Sequence, residues 1–163
     1  MGALLLQNGR DEQEQEQELQ QIVSPSAESF KLLVLWTDEA VGLLAVPICS
    51  LLSSSLTKLC LFGTYQEMEK FTKEQEHALH LLASLQELHF RKFGKLLSLP
   101  AGLHKLTKLR QLWVRECPAV QSLPEDGLPI SLQQLDVSEC GNEELKQQCR
   151  LLVGAIPKMR IYC

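Results

Sequence analysis

"LRQLWVRECPAVQSLP", residues 109–124, carries its apolar residues at Leu109, Leu112, Val114, Val120 and Leu123, with Cys117 between them. That spacing is neither the alternation of a strand nor the 3.6-residue beat of a helix. Leu112 and Val114 are two apart, so they point the same way from a short strand, while Gln111, Trp113 and Arg115 point the other way. After Val114 the chain has to turn a corner. Cys117 sits where a small side chain can bond backbone groups exposed at the bend, and the later apolar residues return along a second wall.

The same pattern, apolar at positions one, four, six and twelve with a small or polar residue at nine, recurs along the chain. Leu85, Leu88, Phe90, Phe93 and Leu96 make the copy before it, and Leu132, Leu135, Val137 and Cys140 begin the copy after it. Upstream, Leu56, Leu59, Leu61 and Thr64 form a weaker copy, and Phe30, Leu33, Leu35, Asp38 and Val41 a fuller one. First positions at 30, 56, 85, 109 and 132 are spaced 26, 29, 24 and 23 residues apart, inside the leucine-rich-repeat range of about 20 to 29. One repeat cannot close a core. Stacked repeats bury about five apolar residues per coil, each worth about 1.5 to 3 kcal/mol before entropy is subtracted.

Between the second and third copies, "FTKEQEHALHLL" reads as a short helix. Thr72 is its N-cap, Gln75 completes a capping box, and Leu79 and Leu82 face the coil. "EQEQELQQI" at 14–22 aligns with "EQEHALHLL" at 74–82, so residues 1–29, an acidic Gln/Glu-rich segment, read as the remnant of an earlier repeat, with a disordered polar tail as the rival reading. At the other end, "GNEELKQQCRLLVGAIP" offers Asn142 as N-cap, a stripe of Leu145, Cys149 and Leu152, and Gly154 and Pro157 as a stop. Residues 30–141 are thus expected to hold the repeats and 142–163 a C-terminal cap. With no comparable cap at the start, the chain reads as beginning inside a longer array.

Composition narrows the rest. At 163 residues with 45% hydrophobic and 22% charged residues, the chain is expected to fold. Residues 1–29 hold six acids against Arg10, so the net charge of -4 belongs mainly to that segment. "ALLL" is too short for a secretory core and no stretch is long enough to span a membrane. "MGALLL" has Leu6 where an N-myristoylation signal needs Ser or Thr. The six cysteines show neither CxxC pairs nor paired metal spacing, and read as buried thiols in a reducing cytoplasm.

The stretch from "SLQELHF" at 84 through "LDVSEC" at 140, with its recurrent "SLP" and "GLP", resembles the C-terminal leucine-rich repeats of plant nucleotide-binding disease-resistance proteins of the grass type. The closing "GNEELKQQCRLLVGAIPKMRIYC" resembles the tails of such proteins, and the likeness extends over about residues 30–163. It implies an α/β leucine-rich-repeat solenoid, a horseshoe arc with short parallel strands on the concave face, an irregular or helical convex side and a C-terminal capping helix. It further implies a cytoplasmic protein–protein recognition module of a plant innate-immune receptor. Its partner would be a pathogen effector, a host guardee or the receptor's own nucleotide-binding domain. The GxxxxGK[ST] loop of that domain is missing from this chain. A leucine-rich substrate adaptor of a ubiquitin ligase, or a fragment without independent function, are the competing readings.

Chemistry-bearing clusters are sparse. His77 and His80 lie three apart on the expected helix without a third ligand nearby in sequence, Glu125 and Asp126 fall in the turn "LPEDGLP", and the serines of "LLSSSL" lack a GxSxG context. The expectation is a non-enzyme with neither cofactor nor metal. A binding surface is better supported. Outward strand positions form columns that contain Trp36, Phe62, His89, Arg91, Trp113, Arg115 and Asp136, the candidate partner-binding residues; aromatics and arginines dominate interface energetics. From Arg91 through Arg115 there are seven basic residues and no acid, which favours an acidic partner surface. The overall negative charge and the lack of a nucleic-acid motif argue against nucleic acid.

Overall fold

The structure, a computed structural model, describes residues 32–162. The Gln/Glu-rich segment 1–29 and Phe30 lie outside the described residues. Six short strands, β1 (Val34–Thr37), β2 (Lys58–Phe62), β3 (Glu87–Arg91), β4 (Gln111–Arg115), β5 (Gln134–Ser138) and β6 (Lys158–Tyr162), pair in chain order into one all-parallel sheet. Parallel neighbours require a crossover between each pair. The crossovers hold α1 (Ala40–Leu43) and α2 (Val46–Leu52) after β1, α3 (Lys73–His80) after β2, a 3-10 turn (Leu103–Lys105) after β3, irregular turns after β4, and α4 (Glu143–Leu151) after β5.

Register sets the core. Leu35, Leu59, Leu88, Leu112, Leu135 and Met159 align in one row, and Thr37, Leu61, Phe90, Val114, Val137 and Ile161 in the next. Both rows face the crossovers, where Leu79, Leu82, Leu96, Leu103 and Val120 complete a single buried cluster with them. Phe71, Phe90 and Phe93 meet there with ring centroids 5.8 to 6.3 Å apart, and Phe90 meets each of the other two in the edge-on geometry that aromatic quadrupoles favour.

A recurrent corner ends each central strand. Lys92, Glu116 and Glu139 adopt left-handed φ of 59°, 55° and 55°, a conformation costing a non-glycine residue about 1 kcal/mol or more. Each offsets that cost by donating its backbone N–H to the neighbouring strand, to the carbonyls of Arg115, Ser138 and Tyr162 respectively. The next residue turns inward. Cys117 Sγ lies 3.2 Å from the Arg115 carbonyl and 3.7 Å from that of Phe90, and Cys140 Sγ lies 3.4 Å from Ser138 and 3.5 Å from Val114 carbonyls. At the equivalent corner after β2 stands Gly63, whose N–H reaches the Arg91 carbonyl at 2.9 Å. A Cβ there would meet Phe93 Cδ1 at 2.3 Å.

The helix ends behave as their sequences imply. Thr72 and Gln75 form a reciprocal capping box on α3, which buries Ala78 and Leu79. Asn142 Oδ1 accepts from the Leu145 N–H at 3.1 Å to start α4, which buries Leu145 and Cys149.

The expected leucine-rich-repeat horseshoe is corrected by this architecture. From Leu32 onward the chain is one compact α/β unit whose six parallel strands make a flat, uncurled sheet flanked by four short helices. A horseshoe arises when helices about 10 Å wide, repeated behind strands about 4.8 Å apart, force the strands to fan. Here the back wall is uneven, with helices of 4, 7, 8 and 9 residues and two crossovers that have no α-helix at all. Nothing regular wedges the strands apart. Nor does the chain finish on its last helix, because Lys158–Tyr162 returns as the edge strand β6.

Candidate functional site: the outward face of the sheet

The residues alternating with the core rows form the opposite face. Its rows are Val34, Lys58, Glu87, Gln111, Gln134 and Lys158, then Trp36, Cys60, His89, Trp113, Asp136 and Arg160, then Phe62, Arg91, Arg115, Ser138 and Tyr162. All seven residues proposed from the sequence lie on it. One is displaced. The repeat pattern aligns Trp36 with Phe62, whereas β1 is shifted by two residues and pairs Trp36 with Cys60. The Leu33 carbonyl fixes that shift by accepting from the backbone N–H groups of Thr57 and Lys58 and from the Thr57 hydroxyl at 2.9 to 3.0 Å. Leu33, expected inside, is therefore 53% exposed.

Over β3–β5 the side chains form a closed lattice. The His89 ring stacks on Trp113 at 4.9 Å and 6°, and the Arg115 guanidinium lies 4.1 Å from the Trp113 ring centroid. Arg115 also forks onto Asp136, with Nε to Oδ1 at 3.3 Å and Nη2 to Oδ2 at 3.0 Å. Asp136 is only 1% exposed, and a carboxylate so far from water needs such a partner. Trp113 Nε1 donates to Gln111 Oε1 at 3.3 Å. On the flank, Lys58 pairs with Glu87 at 2.9 Å, while Glu87 stands 3.6 Å from His89 Nε2, too far for a hydrogen bond.

These surroundings fix protonation. Burial, reinforced by the Lys58 charge and opposed by Glu87, lowers His89 from 6.5 to about 4, so the imidazole stacked on Trp113 is neutral at neutral pH. Burial raises the Cys60 thiol above its ordinary range, which keeps it protonated and a poor nucleophile. His89 Nε2 and Arg91 Nε are buried without a hydrogen-bond partner.

Over β1–β2 the face is looser. Trp36 is 58% exposed and meets Phe62 at 6.0 Å with a 32° tilt. Arg91 approaches Phe62 from the β3 side at 5.5 Å and pairs with Glu116 at 3.4 Å. Sequence reasoning missed Glu116, Lys58 and Glu87 as charge partners; the signal available was that Lys58 and Glu87, of opposite charge, hold the same outward position in consecutive copies. It also missed Arg160 and Tyr162, although "KMRIY" alternates polar and apolar residues as an edge strand does.

The basic run from Arg91 to Arg115 is partly neutralised, because Arg91, Lys95 and Arg115 pair with Glu116, Glu67 and Asp136. Of the sequence-level histidine pair, His80 Nε2 lies 2.9 Å from the Ala101 carbonyl, and His77 stands exposed. Among the described residues no three His, Cys, Asp or Glu side chains gather as metal ligands, and no helix is long and apolar enough to cross a membrane.

The chain matches no family model, no curated protein and no solved structure. The likeness to plant disease-resistance proteins thus has neither relative nor horseshoe architecture behind it, and is corrected to a compact α/β domain with a parallel sheet. The immune-receptor module, with its effector, guardee or nucleotide-binding-domain partner, goes with it. The ubiquitin-ligase adaptor is no better supported.

Proposed function

We propose that residues 32–162 are a protein-binding domain whose outward sheet face is the recognition surface, acting by binding rather than by turnover. One observation carries this reading: Trp36, a large aromatic more than half exposed beside Phe62, stands at the β1 end of a face whose centre, β3–β5, is braced by stacked and ion-paired side chains. Aromatic side chains that become buried at the centre of an interface carry much of its energy, and a rigid platform loses little conformational entropy on docking. Lattice residues His89, Arg91, Trp113, Arg115 and Asp136 set the platform, and Trp36 and Phe62 touch the partner. The reading extends to a reducing cytoplasmic setting, supported by the burial of Cys49, Cys60, Cys117, Cys140 and Cys149.

The test is selection of a random peptide display library on the full chain. Selected peptides should lose at least about ten-fold in affinity on W36A, as for an interface anchor, and keep it when Lys108, on a connecting turn, is changed to Ala. Peptides indifferent to W36A and to F62A would contradict the proposal.

A further inference from the structure

Where β1 and β2 end, Trp36, Thr37, Asp38, Phe62 and Thr64 line a shallow notch of about 370 Å³. Two walls are aromatic, the Trp36 and Phe62 rings 6.0 Å apart. At its rim lies Asp38, exposed, whose carboxylate makes no ion pair or hydrogen bond among the described residues. The surrounding backbone is held. The Asp38 carbonyl accepts from Gln66 Nε2 at 2.8 Å, the Glu39 N–H donates to Thr37 Oγ1 at 3.0 Å, and the Gln66 N–H donates to the Gly63 carbonyl at 3.1 Å.

From these observations, and resting on the reading of this face as a protein-binding surface, we infer that the notch receives a lysine or arginine side chain of the partner. Aromatic ring faces attract cations through their quadrupoles, and a carboxylate at the rim adds a charge partner. Phe62 already takes a cation on its β3 side, where Arg91 lies 5.5 Å from the ring with its charge offset by Glu116. The nearby cations are committed, Lys58 to Glu87 and Arg91 to Glu116, so among the described residues no uncommitted positive group lines the notch to receive an anion. The incoming ammonium or guanidinium lies against Trp36 and Phe62 and within reach of Asp38, while its alkyl stem covers the exposed edge of Trp36.

The chain has two tryptophans, so the indole N–H signals of the full protein report on the notch directly, with W36F assigning them. Titration with N-acetyl-lysine methylamide or its arginine counterpart should move the Trp36 signal saturably and leave Trp113 in place. The neutral N-acetyl-norleucine methylamide should do neither, and D38N should weaken the cation about five-fold. Equal responses to lysine and norleucine, no response to either cation, or an affinity untouched by D38N would overturn the inference. The display selection separates this from the broader reading. Peptides that need Trp36 and lose affinity when a Lys or Arg is replaced by norleucine support both. Peptides that need Trp36 but carry no critical basic residue sink the notch and leave the binding face standing. Peptides that need neither residue of the aromatic pair sink both.

Discussion

Two regions of the outward face are built from similar residues and differ in how far those residues are paired. Over β3–β5, Trp113 is stacked by His89 and faced by Arg115, and Arg115 in turn holds the buried Asp136. Over β1–β2, Trp36 leans on Phe62 alone and shows more than half its surface to water. A tryptophan is thus locked into the fold in one place and, in the proposed reading, offered to a partner in the other. What decides is whether the polar partners are already supplied from within. In the lattice each ion pair is made with a neighbouring strand or its corner, so little charge is left to offer a partner; at the notch the Asp38 carboxylate makes no ion pair among the described residues and the Trp36 ring is more than half exposed.

Mutations should break this contrast in a definite order. R115A strands the Asp136 carboxylate in a buried site and should cost about 3 kcal/mol in urea unfolding, as removal of one member of a buried pair does. It should also disturb the near-ultraviolet signal of Trp113. Acid should act next on the same lattice. His89 has an ordinary value of 6.5 and a folded value of about 4, so the unfolded chain binds more protons between them. Its contribution is complete above pH 6.5 and is lost as pH falls toward 4, by about 2 to 3 kcal/mol. H89Q should flatten that part of the stability profile, measured by denaturation at stepped pH.

Smaller effects sharpen the comparison at the other end. G63A places a methyl group against the Phe93 ring and backbone and should cost about 2 kcal/mol, whereas G94A, with no heavy atom within 4 Å of its new Cβ, should shift the unfolding midpoint little. W36A should change stability by less than about 1 kcal/mol, because most of the ring's surface is already in water. The same W36A should be the most damaging of these changes to peptide affinity. A variant set in which stability and binding losses tracked each other would erase the distinction between lattice and notch.

How much of this was legible follows from which forces are local. The inward pairs Leu88 and Phe90, Leu112 and Val114, and Leu135 and Val137 stand two apart with polar or aromatic residues between them, so their facing could be read directly, as could the Thr72–Gln75 and Asn142 caps. The overall shape could not. Curvature depends on what lies behind each strand, and crossovers ranging from a nine-residue helix to bare turns leave the sheet flat in a way no single repeat announces. The slip of β1 was hidden for the same reason, since Leu33 and Leu35 are equally apolar and the register between them is held by Thr57, just before β2. That all seven candidate residues face outward was legible from the alternation, yet their division into lattice and notch was not. That division rests on Glu87, Glu116 and Asp136 meeting cations across strands.

The most direct measurement is chemical-shift mapping of the full chain with one display-selected peptide. The account predicts shifts centred on the Trp36 indole and on residues 36–38 and 60–64, with α3 and α4 on the other side of the sheet unmoved. Shifts centred on α3 or α4, with the Trp36 indole unchanged, would contradict it.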